Sequence, residues 1–237
     1  MRMGVMNLEI LHKSRNIVIV NKPAGMPSQK DKSGDEDVMS LLSEQLRNIG
    51  ERGELWLIHR LDRVVSGLLV FARNKKSAGE LSELVQNGGI GKEYLAVVEG
   101  EAEGGILRDF IYKDSAKAKA FVTDRARAGV KEARLEYIPL MCIETERGKR
   151  TLVKIKLHTG RFHQIRAQFA SRRMPIVGDG KYGSRDDLSV FPALMSFKLS
   201  IKMKSEKATV KALPDTDSYP WSLFGDEDKY KELVEND

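Results

Sequence analysis

Cys142 is the single cysteine among 237 residues, so no internal disulfide can form. Flanked by Met141 and Ile143, it is expected as a buried structural thiol. No apolar run approaches the ~20 residues of a membrane span. The opening MRMGVMNLEILHK has neither the apolar centre nor the small-residue cleavage site of a signal peptide. These absences point to a cytoplasmic protein with no membrane partner. The four histidines, His12, His59, His158 and His163, lack cysteine or acid partners at metal-ligand spacing, so no metal is expected. There is no internal repeat and no low-complexity linker. Acids are missing altogether from Arg147 to Arg173, where nine Lys/Arg stand. That favours phosphate contacts with a nucleic acid, in keeping with a net charge of +6. From Asp226 to Asp237 the sign reverses, with six acids against two lysines.

What is present is an ordinary globular composition, 41% hydrophobic and 31% charged, long enough for a sizeable core. Short apolar runs at 8–11 and 17–20 read as strands, the second entering the turn Asn21-Lys22-Pro23-Ala24-Gly25. Val38, Leu41, Leu42, Leu46 and Ile49 have helical spacing, closed by Gly50; Ala78, Leu81, Leu84 and Val85 mark a second helix. Further strands are predicted at 55–58, 67–72, 94–98, 151–157, 194–201 and 208–213. The segment 113–134 is basic and weakly periodic, and reads as an exposed loop or hairpin. The tail after Gly225 reads as a short amphipathic helix or a frayed end. Interspersed helices and successive strands indicate an α+β fold, not a doubly wound parallel sheet.

Two segments carry chemistry. In HRLDRVVSGLLVF, His59 to Phe71, a lone carboxylate sits between Arg60 and Arg63 just before a strand. No second acid is adjacent, so the two-carboxylate arrangement of most glycosidases is not evident. On these residues alone Asp62 is either a structural salt bridge or a nucleophile kept ionised by an arginine. In TGRFHQIRAQFA, a helix would place Phe162, Ile165 and Phe169 on one face, with Arg166 about 40° from Phe162. Such an arginine either snorkels to water or holds a carboxylate bidentately, with Asp62 the candidate. Tyr94, on the strand face of Lys92 and Ala96, is either a core tyrosine or an aromatic platform for an unstacked base. Gly178-Asp179-Gly180-Lys181-Tyr182-Gly183 matches GxGxxG, but no apolar helix follows it, so a loop of tight turns is expected instead of a dinucleotide site.

Together these pieces resemble the RluA-type pseudouridine synthases. The matching segments, in order, are Asn21–Gly25; His59–Arg63 with Ser66–Val70; Lys92 with Tyr94–Ala96; Gly160-Arg161 with His163–Arg166; and Pro175–Asp179 with Tyr182-Gly183. The resemblance runs from about residue 8 to about residue 214, and its last segment accounts for the GxGxxG match. The resemblance implies an α+β pseudouridine synthase fold, a mostly antiparallel mixed sheet flanked by helices with a central catalytic cleft. It implies one catalytic domain over 1–225, an acidic tail over 226–237, and no N-terminal S4 domain, since the first matching strand begins near Leu8. It places Asp62 on the catalytic aspartate, Arg166 on its basic partner, and Tyr94 on the tyrosine that stacks on the target base. Arg60 falls on the arginine implicated in flipping the target. Arg63, Lys92, Arg161, His163 and Gln164 are expected to contact RNA. The expected reaction is isomerisation of uridine to pseudouridine in ribosomal RNA or tRNA, by a monomer that uses neither metal nor cofactor and binds no DNA. The segments 113–134 and 147–173 are expected to bind the structured RNA. An RNA-binding or ribosome-assembly factor with dispensable catalysis is the alternative, and a nucleotide-dependent enzyme built on Gly178–Gly183 a second. Val65, Phe162 and Gln168 depart from the common Thr, Thr and His, which affects substrate fit more than chemistry.

Overall fold

The computed structural model describes residues 7–126 and 128–235. In chain order the elements are β1 (Glu9–Lys13), β2 (Ile17–Lys22), α1 (Val38–Asn48), β3 (Trp56–Leu57), β4 (Ser66–Ala72), α2 (Lys75–Gln86), β5 (Ile90–Glu99), β6 (Gly105–Asp114), β7 (Lys119–Thr123), β8 (Val130–Ile143), β9 (Arg150–Leu157), α3 (Gln164–Ser171), β10 (Leu194–Lys202), β11 (Lys207–Lys211) and α4 (Glu227–Glu235). Strands dominate and helices intervene, the α+β class expected. The residues group into two compact units. The first comprises the described residues up to Gly91 and Lys198–Ala212; the second comprises Lys92–Phe197 and the described residues from Leu213.

In the first unit, β2 pairs antiparallel with both β1 and β4, β3 pairs with β4, and the distal half of β10 pairs with β11. Ile17 and Ile19 of β2, Leu68 and Val70 of β4, and Leu199 and Ile201 of β10 share one core with Leu81 of α2. Both helices start where a short polar side chain can satisfy the first free N–H groups. Asp37 accepts from Ser40 N at 3.0 Å, and Asn74 accepts from Ser77 N at 2.9 Å. Of the apolar residues at helical spacing, Val38, Leu41, Leu42 and Leu46 are buried in α1, whereas Ile49 stands at its C-cap and is exposed.

In the second unit the strand order is β5-β9-β8-β6-β7, with antiparallel pairing throughout. The segment 113–134 forms the β6–β7 hairpin and the start of β8; its Arg127 lies outside the described residues. The acidic tail forms α4, whose Tyr230 is fully buried and donates to Trp221 O at 2.8 Å; the last two tail residues lie outside the described residues. Cys142 is a correction: it is exposed. A bulge between Pro139 and Met141 shifts the register of β8, placing Cys142 opposite Thr151, one residue from the end of the strand.

Candidate active site

The peptide that carries Asp62 is anchored on both sides within the first unit. Before it, Leu61 exchanges hydrogen bonds with Ser28: Ser28 Oγ donates to Leu61 O at 3.0 Å and accepts from Leu61 N at 3.3 Å. After it, Arg63 O accepts from Gly25 N at 2.8 Å and from Lys22 Nζ at 3.0 Å. Lys22 is fully buried, and its ammonium also donates to Pro23 O at 2.9 Å and Met26 O at 2.8 Å. Three carbonyls thus meet its three donors. Burial lowers the Lys22 pKa to about 7, with the Asp62 carboxylate opposing and the Arg63 guanidinium reinforcing that shift. Val65 N closes the loop onto Asp62 O at 3.0 Å. The result is a carboxylate on a rigid turn, half-buried, at the entry to β4. Of the flanking arginines, Arg60 is exposed. Arg63 is engaged inside the unit, with Asp35 at 2.5 Å and Gly25 O at 2.9 Å.

The second unit positions the remaining candidates. Tyr94 is buried in β5 opposite Ile155. Lys92 is half-buried two residues earlier, and its Nζ lies 3.9 Å from where a Cβ would stand on Gly160. Burial lowers the Lys92 pKa. The helix of the TGRFHQIR segment starts at Gln164, later than predicted, because His163 takes a left-handed conformation with φ 51°. All of Gln164–Phe169 is buried, so α3 is enclosed on every side, where the spacing had suggested a single apolar face.

Arg166 is therefore deep inside, and a bidentate carboxylate does hold it: Asp179, through Nε to Oδ2 at 2.7 Å and Nη2 to Oδ1 at 2.8 Å. Sequence reasoning passed over Asp179 because it sits within the GxGxxG match. The motif makes a tight turn and a short 3-10 helix, Gly180–Tyr182, in place of a helix N-terminus for a pyrophosphate. Gly178 has φ +79°, and a Cβ there would stand 2.6 Å from Phe191 O, so the turn that presents Asp179 requires glycine. The usable signal was an acid in a glycine turn, downstream of an arginine on an apolar helix.

Aromatic groups surround this ion pair. The Arg166 guanidinium lies 5.0 Å from the Tyr182 ring centre, and Tyr182 Oη is 2.9 Å from His163 Nδ1. Phe162 stacks on His163 at 3.7 Å, with Lys113 Nζ 4.7 Å from the Phe162 centre. Burial first, then the cations Arg166 and Lys181, lower the His163 pKa to about 3. Gln164 is occupied by the fold: it accepts from Thr159 Oγ1 at 2.8 Å and Arg161 N at 3.0 Å, and donates to Arg134 O at 3.1 Å. Arg161 donates its Nε to Glu132 O at 2.8 Å. Within the basic run, Arg147, Lys149, Arg150, Arg166 and Arg172 meet carboxylates. Among the described residues no group of three or more His, Cys, Asp and Glu could hold a metal, and no helix is long and apolar enough to cross a membrane.

A profile of the RNA pseudouridylate synthase family matches residues 16–171, from β2 through α3. The chain belongs to that family. An uncharacterized RNA pseudouridine synthase of Haemophilus influenzae is 30% identical over 88% of each chain. The tRNA pseudouridine synthase C of Vibrio cholerae is 36% identical over 74% of each, and the ribosomal large subunit pseudouridine synthase D of Borreliella burgdorferi is 28% identical over 97% of this chain and 72% of that one. The fold agrees with that of the human RNA pseudouridylate synthase domain containing 1 protein, with TM-score 0.77 at 23% identity over 99% of this chain and 98% of the other. This RNA pseudouridine synthase is accordingly an isomerase: it detaches a uracil from its ribose and rejoins it through carbon.

Proposed function

We propose that the chain works as a monomer and isomerises unpaired uridines of structured RNA, with Asp62 as the catalytic carboxylate, Tyr94 as the stacking partner of the extruded base and Arg166 as the supporting cation. The observation that carries the assignment of Asp62 is the anchoring of both flanking peptides, by Ser28 on one side and by Lys22 and Gly25 on the other. A group that must meet one atom of a sugar needs such a fixed mount. The target leaves its stack because the glycosidic bond is unreachable inside a helix, a cost of a few kcal/mol that loop uridines largely avoid. Asp62 then breaks the C1′–N1 bond, either by attack at C1′ or by removing the C2′ proton to give a glycal. The uracil turns, bonds through C5, and loses its C5 proton. The reaction needs no net electron transfer and no external energy source.

Arg60, exposed beside Asp62, assists extrusion. Lys92, with its amine at the Gly160 turn, and Arg161 supply positive charge for the RNA backbone. Of the RNA classes named among the relatives, tRNA is the expected substrate, because the relative so named is 36% identical against 28% for the ribosomal one. Unmodified tRNA and ribosomal RNA transcripts, treated with the protein and mapped for pseudouridine by chemical labelling and primer extension, test this. New stops confined to tRNA are expected. Stops confined to ribosomal RNA would reassign the substrate, and none in either would reject the reading.

A further inference from the structure

We infer that the β6–β7 hairpin is a base-stacking platform for unpaired nucleotides of the RNA substrate, formed by Tyr112 and Phe121 with Lys117 and Lys119. Tyr112 of β6 and Phe121 of β7 stand directly opposite each other in the antiparallel register. They are 36% and 38% exposed. Lys117 and Lys119 carry their ammonium groups within 5.8 Å and 5.6 Å of the Phe121 ring centre. The other face of the hairpin is packed: Ile111 and Ala120 are buried in a cluster with Ala167 of α3 and Tyr182.

The hairpin is firmly mounted. Ala120 N donates to Tyr182 Oη at 2.8 Å, Lys119 Nζ donates to Lys181 O at 2.5 Å, and Lys181 Nζ returns to Ala118 O at 3.2 Å. Tyr182 also touches Arg166 and His163. A ligand on this hairpin is therefore held in register with the turn that fixes Arg166.

Lysines on an edge strand commonly serve to prevent edge-to-edge pairing. Two exposed aromatic rings on the same strands work against that purpose, since they add apolar surface and β propensity. Flat rings flanked by ammonium groups instead match an unpaired nucleotide, whose base stacks and whose phosphate meets the cation. The choice of RNA over another polyanion rests on the pseudouridine synthase reading.

The test uses the full chain and a fluorescein-labelled single-stranded oligouridylate, read by anisotropy, with total tRNA as competitor and a blunt RNA duplex as control. Phe121→Ala should weaken single-strand binding about five-fold or more, the lower end of what stacking on one base supplies. Phe121→Trp should bind like the wild type, and Phe121→Leu like the alanine variant. The duplex should not distinguish them. In pseudouridine formation Phe121→Ala should raise KM and leave kcat unchanged. Equal thermal unfolding of all variants shows that the surface change spares the fold. Unchanged binding and KM in Phe121→Ala, or full recovery by leucine, would overturn the platform while leaving the catalytic reading intact. Stacking-dependent binding without pseudouridine formation would instead support the platform and reject the catalytic reading.

Discussion

His163 illustrates how much of this site is decided by single side chains. It is expected from its motif to contact RNA, yet its Nδ1 meets Tyr182 and its ring lies under Phe162. Burial and neighbouring cations hold its pKa near 3, against 6.5 for an ordinary histidine. Between those values the unfolded chain binds a proton that the folded chain refuses. Its contribution to stability is therefore complete above about pH 6.5 and is lost as pH falls towards 3. Urea unfolding at stepped pH should show a shallower acid-side decline for His163→Asn than for the wild type; parallel curves would contradict the assignment. Lys22 makes the companion point. Its motif position was legible, but its role as a three-carbonyl clamp on the Asp62 loop needed the fold, because Arg63 O is supplied from 41 residues downstream.

At the scale of elements, the reading of the sequence succeeded where local pattern decides structure. The capped helices α1 and α2 and the alternating strand β9 formed where spacing predicted them. It failed for β6, whose charged and apolar residues mix on both faces, and it passed over β8, where buried Ala133, Leu135 and Tyr137 alternate with Glu132, Arg134 and Glu136 in a legible period of two. It also left Asp179 out. That residue becomes a partner only when the Gly178 turn carries it back to α3, a tertiary event that an acid in a glycine turn signals only in part. Asp179→Asn should remove the carboxylate charge that grips the buried Arg166 guanidinium bidentately, and breaking a buried pair costs about 3–5 kcal/mol. Chemical denaturation would register that loss, together with a fall in pseudouridine formation. A loss under about 1 kcal/mol would place the pair among weak surface-like bridges.

At the scale of the whole molecule, tertiary contacts decide what the charged run and the tail do. On sequence alone, the acid-free run from Arg147 to Arg173 favours phosphate contacts with a nucleic acid. Carboxylates remote in sequence, such as Asp109 and Asp186, neutralise much of it from within. The acidic tail reads in sequence as a short amphipathic helix or a frayed end; it forms α4, which buries Tyr230 and Val234 in the second unit. Burial raises the Tyr230 pKa above its ordinary value, and its hydroxyl donates to Trp221 O. Tyr230→Ala should lower stability by about 3–5 kcal/mol, the range for removing a buried aromatic side chain, as read by calorimetry. An unchanged melting temperature would mean that α4 is not an integral part of that unit.

The central claim is that Asp62 carries out pseudouridine formation in RNA. Single-turnover release of tritium from C5-tritiated uridine in unmodified tRNA and ribosomal RNA tests it most directly, with Asp62→Asn alongside the wild type. The predicted result is release by the wild type and none by Asp62→Asn, with RNA affinity unchanged in the variant. Equal release by both proteins would contradict the account.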